Sequence, residues 1–235
     1  MITLYPLLLT QGLWAASRAD RLPEASGPRN GAIGSGPPLR LLLVGDSSVA
    51  GVGADTQDEA LSGQIARRLA DHHRVSWQII AKTGATAADT LARLDATPIP
   101  QTDVAILAIG VNDSKNGVTL AAWRRNLAAL LDRLTDTHHI PCIVLSGLPP
   151  VERCPILPAP LRHALGRRAR LFDQAMQDLA RARPQVRYRA MDFPMSTDDM
   201  APDGFHPGPG IYADWGAALA GTVLSAKPDL RPPLH

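Results

Sequence analysis

Three residues of this chain are of the types that open an acyl bond, and small or turn-forming neighbours flank each of them. Ser47 follows Gly45-Asp46, directly after the apolar run Leu41-Leu42-Leu43-Val44. A strand that runs into a serine with small neighbours sets a hydroxyl at the carboxyl edge of a sheet, where α/β folds place their chemistry. Far downstream, Asp203-Gly204-Phe205-His206-Pro207 supplies a histidine with a carboxylate three positions before it. A serine hydroxyl is a weak nucleophile until a base takes its proton. His206 is the candidate base, and Asp203 is placed to hold the imidazole in one tautomer and to stabilise its charged form. In a tight turn this spacing lets the carboxylate reach one ring nitrogen while the other faces the serine. Taken alone, His206 also reads as a capping or surface histidine.

Acyl transfer passes through an oxyanion that needs preorganised donors. Asn112, beside Gly110 and after an apolar strand, is the candidate side-chain donor, with the backbone N–H groups of Ser47 and Gly84 beside it. Glycine permits the close backbone approach this requires. By themselves, Gly84 is also an ordinary turn glycine and Asn112 an Asx-turn residue. Asp46 reads as a structural carboxylate that fixes the turn presenting Ser47, and Ser48 is the weaker candidate nucleophile.

These residues need a scaffold that brings four distant segments to one rim. From Arg40 the chain alternates short β-like runs with amphipathic helices. Strands are expected at Arg40–Val44, Val75–Ala81, Val104–Ile109, Ile140–Ser146 and Val186–Ala190. Helices are expected at Ala60–Ala70, Ala87–Leu94, Leu120–Thr137, Pro160–Ala182 and Ile211–Leu224. That alternation is the signature of βαβ units around a mostly parallel sheet covered on both faces. Val104-Ala105-Ile106-Leu107-Ala108-Ile109 is apolar throughout, as a doubly covered strand should be. The candidate residues then fall in the loops after the strands: Gly45-Asp46-Ser47, Thr83-Gly84-Ala85-Thr86, Gly110-Val111-Asn112-Asp113, and the Asp203–His206 loop.

The chain has 235 residues, 45% of them hydrophobic, which suits one domain with a full core. Its net charge is +2, its aromatic content is 4%, and no basic block is interleaved with aromatics, so a nucleic-acid partner is not expected. Of the two cysteines, Cys142 reads as a buried strand thiol and Cys154 as a loop thiol; two isolated cysteines do not make a disulfide framework. Ile2 to Ala16 is uncharged and apolar, with no Lys or Arg before it. It is too short for an ordinary membrane span, and is expected to be a helix packed on the domain or dipped into a membrane interface through residues 2–16. The expected location is therefore cytoplasmic with membrane association; the alternative is export with residues 1–19 as a signal peptide. Arg21 to Pro38, rich in Pro, Gly and Ser, is expected to be a linker. The organisation is thus 1–38 as apolar segment and linker, 39–226 as the catalytic domain, and 227–235 as a tail.

Two other chemistries have less support. Gly51-Val52-Gly53 near a helix suggests a phosphate turn in a nucleotide-binding module, but no Walker lysine motif or complete Gly-x-Gly-x-x-Gly accompanies it. That reading also leaves Asp203 and His206 unexplained. His72-His73 and His138-His139 are poor chelators, because adjacent helical residues point in different directions, and no zinc-type Cys/His spacing occurs.

Together these blocks resemble the SGNH hydrolases, also called GDSL-like esterases and lipases. Gly45-Asp46-Ser47 resembles the first block, Lys82-Thr83-Gly84-Ala85-Thr86 the second, Gly110-Val111-Asn112-Asp113 the third, and Asp203-Gly204-Phe205-His206-Pro207 the last. The likeness spans Arg40 to Leu224 in order and approximate spacing. It departs at Ser48, where the family name has leucine, and at Ala85, where Gly or Ser is frequent. Leu4 to Gly31 is similar to the lead-in of a bacterial branch of these enzymes, which favours retention of that segment. The resemblance implies a flavodoxin-like three-layer α/β/α sandwich with a five-stranded parallel sheet and no cofactor or metal. It implies Ser47 as nucleophile, Asp203 and His206 as its partners, and Ser47, Gly84 and Asn112 as the oxyanion hole. The substrate implied is a small-molecule acyl ester; thioesters and acetylated carbohydrates are the alternatives within the fold. Leu148, Val151, Ile156 and Leu157, in the proline-rich insert Gly147 to Arg162, suggest an apolar pocket wall that leans toward an acyl chain. Oligomeric state is not legible.

Overall fold

The computed structural model describes residues 4–18, 21–154, 156–192 and 197–226; the tail expected at 227–235 lies outside them. A central sheet is built from β1 (Asn30–Ile33), β2 (Pro38–Gly45), β3 (Arg74–Ala81), β4 (Val104–Ala108), β5 (Cys142–Ser146) and β6 (Val186–Arg189) in the order β1-β3-β2-β4-β5-β6. The five predicted strands are present and pair in parallel. The sheet has six strands, however, because β1 adds to β3 as an antiparallel edge. This corrects two expectations, the five-stranded sheet and the linker at 21–38. Ser26 also bridges Thr56, and Ser26 N–H and Gln57 N–H exchange bonds with the carbonyls of Asp55 and Ser26. The supposed linker is therefore part of the folded domain. Asn30-Gly31-Ala32-Ile33 lacks β-branched density because only one of its sides pairs and most of its residues face solvent.

Both faces of the sheet are covered, and the side-chain alternation of the strands sorts the core into two clusters. Leu42 and Val44 of β2, Ala105 and Leu107 of β4, and Ile143 and Leu145 of β5 face one layer. That layer holds α3 (Ala87–Asp95), α5 (Leu120–Asp132) and α6 (Ala159–Arg181). Leu41, Leu43, Val104, Ile106 and Val144 face the other, where α2 (Leu61–Ala70) packs on α7 (Pro209–Ser225). The helix expected over Leu120–Thr137 is continuous but ends in a π-helical turn, Arg133–Thr137. A short α4 (Val111–Lys115), not anticipated, follows β4. The N-terminal helix α1 (Leu4–Arg18) packs against α6. Cys142 and Cys154 are both buried.

The large polar-edged side chains tie this scaffold to the site. Trp123 Nε1–H donates to the Phe172 carbonyl at 3.0 Å and Trp215 Nε1–H to Ser146 Oγ at 2.9 Å. Tyr212 Oη–H donates to the Val52 carbonyl at 2.7 Å, and Val52 N–H in turn reaches the Ser47 carbonyl at 3.0 Å. The last helix thus clamps the turn that follows the first parallel strand. Buried hydroxyl and indole groups satisfied in this way avoid the cost of an orphaned donor.

Candidate active site

The turn after β2 begins where backbone crowding excludes any side chain. A Cβ on Gly45 would lie 2.2 Å from the Ala108 carbonyl oxygen and 2.4 Å from Val49 Cγ2. Glycine lets β2 turn sharply beside β4. Asp46 then organises the turn, as expected. Its Oδ1 accepts from Ser48 N–H at 3.1 Å and Ser48 Oγ–H at 2.9 Å. This leaves Ser47 facing the pocket and commits Ser48 elsewhere. Burial pushes the Asp46 carboxyl pKa up, against the Ser48 hydrogen bonds that pull it down.

The other end of the chain meets this turn. His206 Nε2 lies 2.9 Å from Ser47 Oγ, and His206 Nδ1 lies 2.5 Å from Asp203 Oδ2. The free Asp203 oxygen, Oδ1, accepts Phe205 N–H at 3.0 Å and His206 N–H at 2.9 Å, so one carboxylate both shapes the turn and holds the ring. Burial works to raise the Asp203 pKa, but the bonds from the His206 side chain and the two backbone amides outweigh it and hold the carboxyl below its ordinary range. Phe205 packs edge-on against the imidazole, with ring centroids 5.3 Å apart. The three residues singled out for acyl transfer therefore form one contiguous relay. Gly53 secures the approach: its φ is +97°, and a Cβ there would sit 2.2 Å from the Pro207 carbonyl oxygen. Gly51 is similarly packed against Ala25 and Ala60. The supposed phosphate turn is a close-packing device.

The two central loops are cross-braced. Asn112 Nδ2–H donates to the Ala85 carbonyl at 3.0 Å and to Asp46 Oδ2 at a longer 3.3 Å. Asp113 accepts Ala87 N–H, at 3.2 and 3.0 Å, where α3 starts behind the capping box of Thr86 and Asp89. Glu24, from the segment read as a linker, accepts Thr83 N–H at 2.9 Å and Thr83 Oγ1–H at 2.8 Å and pairs with Arg29. Gly84, next to Thr83, has φ +81° and open space where a Cβ would be. Among the described residues, neither Ser47 N–H nor Gly84 N–H has a protein acceptor. Asn112 borders the pocket and Gly84 does not. Both hydrogens of the Asn112 amide already have partners, a competition that the sequence does not reveal.

The pocket over Ser47 and His206 is walled mainly by apolar groups. Leu148, Pro150 and Val151 come from the insert after β5, as expected, and Ile109, Met200 and Phe205 complete the wall. Leu157 and Ile156 do not line it: Leu157 is buried in the core cluster and the half-buried Ile156 packs against that cluster. Met200, Phe205 and Trp215 were missed in the sequence, because no periodicity marks residues of a loop or the first turns of a helix as pocket-facing. Lys115 is exposed, yet its ammonium lies 5.0 Å from the Phe205 ring centre, and desolvation there lowers its pKa although Asp46 opposes the shift. Among the described residues no group of three or more His, Cys, Asp or Glu side chains gathers as a metal site.

Asp113 gives this region a pH signature. Burial, with the Asp46 charge adding to it, raises its carboxyl from 3.8 to about 6 despite the Ala87 bond. The folded state therefore holds a proton that the unfolded chain has already released, so this group's contribution to stability is complete below about pH 4 and is lost as pH rises through about 6. In unfolding measurements, Asp113→Asn is expected to remove that decline, gaining up to about 3 kcal/mol on wild type at pH 7 relative to pH 4. Parallel stability curves for the two proteins would show that Asp113 is not the source.

The family model for GDSL-like lipases and acylhydrolases matches residues 43–213, which include the Ser47 turn, both central loops and the Asp203–His206 loop. The chain belongs to the GDSL-like lipase/acylhydrolase family. The GDSL-like esterase Rv1075c of Mycobacterium tuberculosis is 29% identical over 191 residues, covering 74% of this chain. The match spans 58% of that relative's length. Among solved structures, TesA aligns with a TM-score of 0.63 at 24% identity, over 82% of this chain and 99% of its own. The family 3 carbohydrate esterase of Clostridium thermocellum aligns at 0.62 and 18% identity, over 81% and 98%. EstA of a Pseudoalteromonas species, in a structure inhibited by monoethylphosphonate, aligns at 0.60 and 18%, over 79% and 98%. This GDSL-like chain shares its α/β fold with all three.

Proposed function

We propose that this chain is a serine esterase that hydrolyses acyl esters. The observation that carries this reading is the relay Asp203 Oδ2, His206 Nδ1, His206 Nε2, Ser47 Oγ, with links of 2.5 and 2.9 Å, opening on an apolar pocket. Ser47 Oγ attacks the ester carbonyl carbon while its proton passes to His206 Nε2. The tetrahedral intermediate collapses, the carbon–oxygen bond to the alcohol breaks, and Nε2 gives the proton to the departing oxygen. Water then attacks the acyl-enzyme, gives a proton to Nε2, and releases the acid as Ser47 regains its hydrogen. Asp203 keeps Nδ1 protonated and stabilises the imidazolium formed in each half-reaction.

The oxyanion is held by Ser47 N–H, Gly84 N–H and the Asn112 amide. The 3.3 Å bond from Asn112 to Asp46 is the weaker of its two, and one hydrogen turns from Asp46 to the oxyanion as charge develops. Asn112→Ala is expected to lower kcat on a p-nitrophenyl ester by about a hundredfold or more. An unchanged kcat would remove Asn112 from the oxyanion hole.

The apolar wall favours an acyl chain over an acetylated sugar as the acid side of the ester. Thioesters and acetylated carbohydrates are the competing substrates, and one structural neighbour is a carbohydrate esterase. A p-nitrophenyl ester series from acetyl to palmitoyl, run beside acyl-thioesters and acetylated xylose, separates them. Rates that rise with chain length beyond acetyl on oxygen esters support the assignment. Faster turnover of the acetylated sugar, or of thioesters alone, would replace it.

A further inference from the structure

Helix α1 turns apolar side chains outward. From Leu4 to Ser17 it holds no Asp, Glu, Lys or Arg. Its inner side is docked: Leu8 packs on the core cluster that includes Leu148, Val151, Leu157 and Leu161, and Gln11 Oε1 accepts Leu161 N–H at 3.2 Å. Its outer side leaves Leu9 and Leu13 exposed by 56% and 64%, with Leu7 and Trp14 nearly half exposed beside them. A surface helix of a water-soluble domain ordinarily carries polar residues on that side. A contiguous exposed apolar strip of this kind marks an interaction surface.

The charge next to the strip identifies the partner. Between Cys154 and Phe172 there is no acidic residue, while Arg162, His163, Arg167, Arg168 and Arg170 all fall there. Arg168 bonds the Ser114 and Val118 carbonyls and Arg170 pairs with Glu152. His163 and Arg167, one helical turn apart, remain exposed, with no ion pair among the described residues. Arg162 and His163 directly follow Leu161, the residue that Gln11 grips. Arg153, at the pocket rim, is exposed as well. An apolar helix docked on a segment with the exposed guanidinium groups of Arg153 and Arg167 complements an anionic lipid surface, which takes up the apolar side chains and attracts the charges. At 15 residues α1 extends about 22 Å, short of the roughly 30 Å hydrocarbon core, so it fits the interface plane.

We propose that the outward face of α1 and the basic start of α6 form one docking surface for anionic membranes. The inference is independent of the esterase reading, although the two share a core: Leu8 of α1 packs against the cluster to which the pocket-lining Leu148 and Val151 also belong. Docked there, the enzyme opens its pocket beside the bilayer that holds acyl substrates.

Flotation of the full chain with vesicles tests this. Phosphatidylcholine alone is compared with phosphatidylcholine containing about one third phosphatidylglycerol. Wild type is expected to float with the anionic vesicles and to be released at high salt. Leu9→Glu/Leu13→Glu is expected to weaken flotation by about tenfold or more, and Arg167→Glu by about fivefold. Both variants change exposed residues, so their thermal unfolding midpoints should match wild type. Failure of wild type to bind anionic vesicles would overturn the proposal, as would equal binding to both vesicle types or by the leucine variant. A wild-type dimer that Leu9→Glu/Leu13→Glu dissolves, with no vesicle binding, would assign the face to a second copy of the chain instead.

Discussion

Alanine in place of Ser47 is expected to lower kcat/KM on p-nitrophenyl esters by about four orders of magnitude or more, with little loss of stability. The hydroxyl is the atom that joins the relay to the pocket, and its link to His206 Nε2 is its one side-chain bond among those described. The bonds that hold the turn belong to other groups: Asp46 with the Ser48 amide and hydroxyl, and the Ser47 backbone carbonyl with Val52 N–H. Truncation therefore removes the nucleophile and leaves its setting intact. Ser48→Ala is the control, because Ser48 Oγ is committed to Asp46 at 2.9 Å and faces a different partner. It should cost far less than Ser47→Ala, and only Ser47→Ala should abolish labelling by a fluorophosphonate. A wild-type rate in the Ser47→Ala protein would show that the chemistry lies elsewhere.

The parts of this molecule that could be read from the chain are those in which one residue's type carries the information. Runs such as Val104–Ala108 must be buried on both sides, and they are strands of a doubly covered sheet. Ser47, Asp203 and His206 are legible because a serine in the turn after an apolar strand and an aspartate three residues before a histidine together supply the parts of one relay. What was hidden depends on pairing between distant, chemically ordinary residues. β1 is four residues, three of them small or polar, whose strand character comes from pairing with β3. Glu24 looks like a linker glutamate until it is seen gripping Thr83, one residue before Gly84. Asn112 has the right type for an oxyanion donor, but only its neighbours show that it must choose between Asp46 and a developing charge. The fold therefore spends part of its polar network on bracing loops, which is what holds separately encoded residues within hydrogen-bond distance.

Asparagine in place of Asp203 is expected to reduce kcat by about a thousandfold to ten-thousandfold at neutral pH, by a mechanism unlike that of Ser47→Ala. Asp203 Oδ1 accepts two backbone amides, at 3.0 and 2.9 Å, and an asparagine oxygen placed there keeps both. Its NH2 group then occupies the site of Oδ2 and faces His206 Nδ1 with a donor where an acceptor stood 2.5 Å away. The imidazole is driven to carry its proton on Nε2, the nitrogen that must accept the proton of Ser47. The turn survives while the tautomer is wrong, so substrate binding should persist and KM should change little as kcat collapses. Stability carries a second signature. The Asp203 carboxyl is held below its ordinary range in the folded state, so its stabilisation is present above the unfolded pKa and is lost as pH falls through the folded one. Asp203→Asn should accordingly be less stable than wild type at pH 7, with the gap closing as pH falls below the ordinary carboxylate range. Kinetics on a soluble ester and urea unfolding across pH measure the two effects separately. A kcat within tenfold of wild type would mean that His206 is oriented without Asp203, and the relay would then reduce to a serine–histidine pair.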